Sequence, residues 1–169
     1  MAHAKVNELR EKSDKAWAQL RAQLQGMEPY LDTSDAPGQW TTREVLSHIL
    51  FEHGWKPVPL LKTFAHENLP VIEVKPGDTD TSGERQTMTL KQFTDTLDAQ
   101  RREVMAYLGG LSEADLSRKA RIPIFKEIMG TDEVDIPTFV GALFEYHWND
   151  HAGQLAKIRK AVGLPEARS

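Results

Sequence analysis

From Pro137 to Val162 the chain reads as one long amphipathic helix with both ends marked. Pro137 suits a first helical turn, and Gly163 followed by Pro165 is a stop. Along this stretch Val140, Phe144 (with Leu143), His147, His151, Leu155, Ile158 and Val162 recur at three- and four-residue intervals. That spacing lines one face of a helix. A helix with a single apolar stripe has to bury it against other elements, so the rest of the chain must supply partners.

Three more segments supply them. The first runs from about Ala4 to Leu24, with Val6, Leu9, Ala16, Trp17, Leu20 and Leu24 in helical register, and closes at Gly26 and Pro29. After a loop holding Pro37 and Gly38, Thr41 and Glu44 form a capping box, so a second helix begins near Thr42. Val45, His48, Ile49 and Glu52 share one of its faces, and Pro57 and Pro59 interrupt or end it. The third covers about Leu90 to Leu108, with Leu90, Phe93, Leu97, Val104 and Leu108 buried, and stops at Gly109-Gly110. Ser112 to Asp115 reads as the cap of one further turn.

Two connections break the pattern. Between Asn68 and Thr89, Pro70, Pro76, Gly77 and Gly83 stand among Asp78, Asp80, Ser82 and Glu84, which predicts a long polar loop. Loops of that length inside a domain are usually functional or mobile. From Arg118 to Ile136 comes a second irregular crossing. The expected fold is all-α: a single domain over residues 1–169, built as a four-helix bundle with long crossover connections.

Composition narrows the function. The formal net charge is −4, from 21 Lys and Arg against 25 Asp and Glu. A surface that tracks phosphates carries a basic surplus, so no nucleic-acid partner is expected. No apolar run reaches the roughly 18 residues of a membrane span, and the N-terminus has no secretory hydrophobic region. A cytoplasmic location and no membrane partner follow as expectations. With no cysteine, any metal must be held by nitrogen and oxygen.

His147 and His151 are the residues in which chemistry concentrates. At i and i+4 they sit one above the other on the same helix face, inside the apolar stripe. His48 occupies a core position of the second helix. An unpaired polar group buried there costs about 1–3 kcal/mol, which asks for a partner. Three inward imidazoles from two helices would make a three-nitrogen metal site, a set known in catalytic zinc centres with an open fourth position. The alternative is three hydrogen-bonded core histidines, and H-x-x-x-H alone does not decide between them.

Two motifs extend this reading. Gln39-Trp40-Thr41-Thr42-Arg43-Glu44-Val45-Leu46-Ser47-His48 resembles the second-helix signature of the DinB/YfiT-like family: a tryptophan, a small capping residue, and a helix with one inward histidine. His147-Trp148-Asn149-Asp150-His151, followed by Gln154, Leu155 and Arg159, is similar to that family's closing helix. The motifs stand in the expected order, and the helix pattern matches over nearly the whole chain. The resemblance implies a four-helix bundle that binds a divalent metal, zinc or nickel, through His48, His147 and His151. It also implies a metal-dependent enzyme acting on a small-molecule substrate. Some branches of the family join a low-molecular-weight thiol such as bacillithiol to electrophiles, others are mycothiol-dependent maleylpyruvate isomerases, and others are described only as metal-dependent hydrolases. Homologues of this shape often pair, so a homodimer is expected as well.

Such an ion lowers the pKa of a thiol or of water toward neutrality. Because the chain has no cysteine, a reacting thiol would come from a cosubstrate. Water in its place would give hydrolysis. Glu52 is a candidate second acceptor or general base, its alternative being a helix-end carboxylate in solvent. His53 falls about 140° round the helix from His48 and is not expected to share the site. Glu145 and Asp150 read as surface charges or orienting partners, and Arg159 as packing near the helix end. Trp40 reads as a plug at the helix entry, while Trp55, Tyr146 and Trp148 are core or pocket residues. A non-catalytic bundle that holds a structural metal and acts by binding or dimerisation is the competing class.

Overall fold

A computed structural model describes residues 2–66, 68–75 and 79–168. It is mostly helical (64%), with one small two-stranded sheet. In chain order the elements are α1 (Ala2–Leu24), α2 (Thr42–Ile49), α3 (Pro57–His66), α4 (Leu90–Gly109), α5 (Glu113–Leu116), β1 (Lys119–Arg121), α6 (Ile124–Met129), β2 (Glu133–Asp135), α7 (Ile136–Gly141) and α8 (His147–Ala161). A π-helical turn, Ala142–Tyr146, joins α7 to α8, so the closing helix is continuous but not uniformly α.

The bundle closes as a ring. α1 packs on α8 and on α4, α8 packs on α2, and α3 packs on α4. The second strut is therefore α2 and α3 together. The predicted stripes supply the core: Leu20, Val45, Phe93, Leu97, Val104, Leu108, Val140, Leu155 and Ile158 are fully buried. Each such side chain contributes roughly 1.5–3 kcal/mol through removal from water. Leu90, expected in the stripe, is only partly buried, and Arg101 takes an interior place on α4 instead. It reaches Asp98 at 2.8 Å and also bonds Asp14 on α1.

Helix starts fall where the capping residues put them. Thr41 accepts from the Glu44 amide at 3.1 Å while the Glu44 carboxylate accepts from the Thr41 amide at 3.0 Å. Ser112 and Asp115 form a second such box at α5. Asp135 caps α7, accepting from the Thr138 amide at 2.8 Å. At the far end of α8, Arg159 is buried and donates to the carbonyls of Pro165 (2.7 Å) and Gln23 (3.3 Å) and to that of Gln25. It ties two helix ends together, which is the packing role its position suggested.

Three expectations need correction. The second helix does not run on to Pro57. It ends at Ile49, and Phe51 adopts a left-handed φ of 62°, so the chain turns before α3 begins at Pro57. The 118–136 crossing is not irregular: β1 and β2 pair antiparallel, Ala120 opposite Val134, and α6 sits between them. The 68–89 loop is partly ordered by that hairpin. The Ile72 amide donates to the Arg121 carbonyl and the Arg121 amide to that of Pro70, both at 2.8 Å. A 3₁₀ turn, Gly83–Gln86, follows, while Pro76, Gly77 and Asp78 lie outside the described residues. Among the described residues no helix is long and apolar enough to cross a membrane.

Candidate metal centre

The packing of α2 on α8 brings His48, His147 and His151 together. One ligand nitrogen from each lies within 4.8 Å of the others, and no other group of three metal-ligating side chains of this kind occurs among the described residues. The Nε2 atoms of His48 and His147 are 3.0 Å apart. The ring centroids of the three imidazoles stand 4.7 to 5.0 Å from one another at steep angles, so the heads converge while the rings splay. A separation of 3.0 Å is less than two metal–nitrogen bonds of about 2.0–2.1 Å, so one ion can touch both atoms.

The surroundings favour neutral imidazole, the ligating form. Burial pushes His147 down from 6.5 to about 3, and the neighbouring His151 and His48 add to the shift. Its Nδ1 is buried without a hydrogen bond of good geometry, and the Leu143 carbonyl opposes the shift only in part. On His151, Nδ1 lies 2.8 Å from the Gln154 amide oxygen. An amide oxygen can only accept, so Nδ1 carries the proton and Nε2 keeps its lone pair. Three converging nitrogens, one left as an acceptor by its tautomer and one on a ring that stays neutral near pH 7, are a donor set that could hold a divalent cation.

Aromatic groups enclose the cluster. Trp40 lies 5.0 Å from His48 and stacks nearly parallel to His151 at 6.2 Å. Phe51 lies 5.5 Å from His147 and stacks on Trp55 at 4.3 Å. Trp148, adjacent to His147, turns the other way into the core against Trp17. One cavity of about 980 Å³ opens beside the cluster, with His48, His147, Trp40, Phe51 and Trp55 in its wall.

Glu52 is not one turn along the helix from His48, because α2 has already ended. It is exposed beyond the Phe51 turn and lies on the cavity wall. Glu145 and Asp150 border the same cavity, and Glu145 faces Lys12 at 3.9 Å. His53 pairs with Asp80 at 3.5 Å and stays outside the cluster.

Sequence reasoning missed Arg85. This buried side chain comes from the 3₁₀ turn and donates to the Ser47 carbonyl (3.1 Å), to Ser47 Oγ (3.0 Å) and to the Phe51 carbonyl. Ser47 Oγ in turn donates to the Asp80 carbonyl at 2.5 Å. Arg43, held by Asp32 at 2.7 Å, reaches the carbonyls of Arg85 (3.0 Å) and Met88 (2.7 Å). The loop thus places a cation at the C-terminal end of α2, where it meets the last carbonyls and the negative end of the helix dipole. It also fixes the Phe51 turn next to His48. An arginine in a polar loop carries no sequence mark of such a role.

No family model matches the chain, and no curated protein matches it. Among solved structures, YfiT from Bacillus subtilis, described as a probable metal-dependent hydrolase with an unusual four-helix bundle topology, is similar with a TM-score of 0.69. The match covers 95% of this chain and 89% of that one at 18% sequence identity. The chain has the YfiT fold. The family resemblance carried by the Trp40–His48 and His147–Arg159 motifs therefore holds at the level of architecture. In this YfiT-type bundle the histidine cluster sits where α2 meets the start of α8.

Two outcomes are expected. Above about pH 6.5 His147 is neutral both folded and unfolded; between 6.5 and about 3 only the unfolded chain takes up the proton. Stability of metal-free protein should fall with pH in that window, this residue contributing up to about 1.4 kcal/mol per pH unit. Urea midpoints of wild type and His147→Gln compared from pH 7 to pH 4 check this, and parallel pH curves would contradict it. Arg85→Met leaves the Ser47 and Phe51 carbonyls without their donor and should cost about 1–3 kcal/mol by the same measurement. An unchanged midpoint would remove Arg85 from the support of α2.

Proposed function

We propose that His48, His147 and His151 hold one divalent ion, zinc or nickel, and that the protein is a metal-dependent enzyme activating a low-molecular-weight thiol. The observation that carries this is the convergence of three imidazole nitrogens at the edge of a cavity of about 980 Å³. Structural zinc sites are closed by four protein ligands, whereas three histidines beside open space leave room for a reactant. A divalent ion in such a place acts as a Lewis acid, bringing the pKa of a thiol or of water toward neutrality.

The chain's own residues do the rest. Gln154 fixes the His151 tautomer, and Trp40 restrains the His48 and His151 rings. Phe51, Trp55 and Trp40 shield the reactants from water on one side, which strengthens electrostatic interactions there. Glu52, on the cavity wall, is the proposed acceptor of the thiol proton; the sulfur lone pair forms the bond to an electrophilic carbon as the bond from that carbon to its leaving group breaks, and the leaving group departs with the pair and takes the proton back. The sulfur comes from a cosubstrate because the chain has none to offer as thiol. Hydrolysis is the second reading, favoured by the description of YfiT, with water in place of the thiol.

Purified protein should carry about one divalent ion per chain, and His147→Ala should carry almost none. Elemental analysis finding both equally metal-free after gentle purification would remove the metal centre. A second measurement separates the two chemistries. Consumption of several low-molecular-weight thiols is followed with a common electrophile, with and without added zinc or nickel. Metal-dependent loss of thiol supports transfer, and its absence with every thiol transfers the weight to hydrolysis.

A further inference from the structure

The described residues leave four large hydrophobic side chains exposed: Val71, Ile128, Met129 and Tyr146. Three of these, Ile128 (70%), Met129 (51%) and Tyr146 (72%), border the cavity whose wall also holds His48 and His147. Scattered surface hydrophobics need no explanation, but a set gathered round a concave site marks a surface that binds something.

The fold holds these side chains out on purpose-built supports. α6 is the excursion between the paired strands β1 and β2, so its position is fixed by the hairpin beneath it. Phe125 anchors it in the core, while Ile124 and Ile128, at i and i+4 on the helix, turn to the cavity. Gly130, at φ 78°, ends α6 directly after Met129. Tyr146 closes the π turn, immediately before His147.

The charges tell what kind of molecule fits. Of the lysines on the wall, Lys12 is paired with Glu8 (3.0 Å) and Glu145 (3.9 Å), and Lys5 with Glu8 (3.5 Å). Lys75 is the third. Against these three stand five wall carboxylates, those of Glu52, Glu73, Asp135, Glu145 and Asp150. The carboxylates exceed the lysines by two, so an anion meets a net negative surround in metal-free protein and only a balanced one beside a divalent ion, and gains nothing from the wall. Farther in, the Trp55–Phe51 stack leads to His147 with ring spacings of 4.3 and 5.5 Å. A flat ring can continue such a series. The volume, about 980 Å³, lies at the upper end for drug-sized ligands.

We propose that this cavity binds a bulky, uncharged aromatic molecule, seated between α6, Tyr146 and the Trp55–Phe51 stack with one end against His147. The role of that molecule as substrate rests on the metal-dependent reading above; its binding does not. Its place at the floor of a concave site beside the imidazoles sets it apart from a flat contact with another protein.

The test titrates two fluorescent probes of similar shape into wild-type protein, once metal-free and once with added zinc. One is neutral (N-phenyl-1-naphthylamine) and one carries a sulfonate (1-anilinonaphthalene-8-sulfonate). The neutral probe should bind once per chain in both preparations, the sulfonate about tenfold or more weakly in the metal-free one. Ile128→Glu, at an exposed position that leaves folding intact, should weaken the neutral probe about tenfold without changing the metal content. Equal binding of both probes to metal-free protein, or unaltered binding by Ile128→Glu, would overturn the proposal. So would a wild-type dimer that Ile128→Glu dissociates, since the apolar rim would then be a contact between two copies. Probe binding by protein that takes up no added zinc would fault the metal centre alone, and zinc uptake without probe binding would fault this proposal alone.

Discussion

The histidine end of the bundle depends on a close approach between two imidazole nitrogens carried by different helices. His48 and His147 meet at 3.0 Å from two different helices, in surroundings that deny His147 a proton. Neither helix would hold that arrangement alone. α2 is short: the capping box at Thr41 holds its first turn and Arg85 its last. α8 is long and is secured at its far end by Arg159, which satisfies carbonyls around the end of α1. Two buried arginines, Arg85 and Arg159, donate to carbonyls at and just beyond the ends of these helices.

Much of this was legible in the sequence because it is local. The Thr41/Glu44 box needs three residues' separation, and the start of α2 falls where it predicts. The His147/His151 pair and the Gly163 stop are likewise short-range patterns, and the long helical segments follow from their periodicity. The end of α2 was not legible. Phe51 is an ordinary aromatic residue that turns into the left-handed region while its carbonyl bonds an arginine 34 positions away. Pro57 looked like the stop because proline is a local signal, yet it opens α3 instead.

The second crossing failed for the same reason. β1 and β2 are three residues each, too short to show alternation, and they exist only because Lys119–Arg121 finds Glu133–Asp135 across α6. The candidate site divides along that line. Histidines in an apolar stripe are conspicuous in a sequence, since their burial calls for a partner. Their hydrophobic setting is not, because Ile128 and Met129 on an unrecognised helix read as ordinary residues of a connection.

The π turn at Ala142–Tyr146 has a consequence for how the closing helix is geared. A π turn takes i→i+5 bonds where an α-helix takes i→i+4, which is the form an α-helix adopts when it absorbs one surplus residue. Each residue of α pitch amounts to about 100° of rotation. The segment before the turn, with Phe139 and Val140 packed in the core, is therefore phased separately from the segment carrying His147 and His151. The turn works as a clutch. Core packing on one side and imidazole direction on the other can each settle at its own angle along a single unbroken rod.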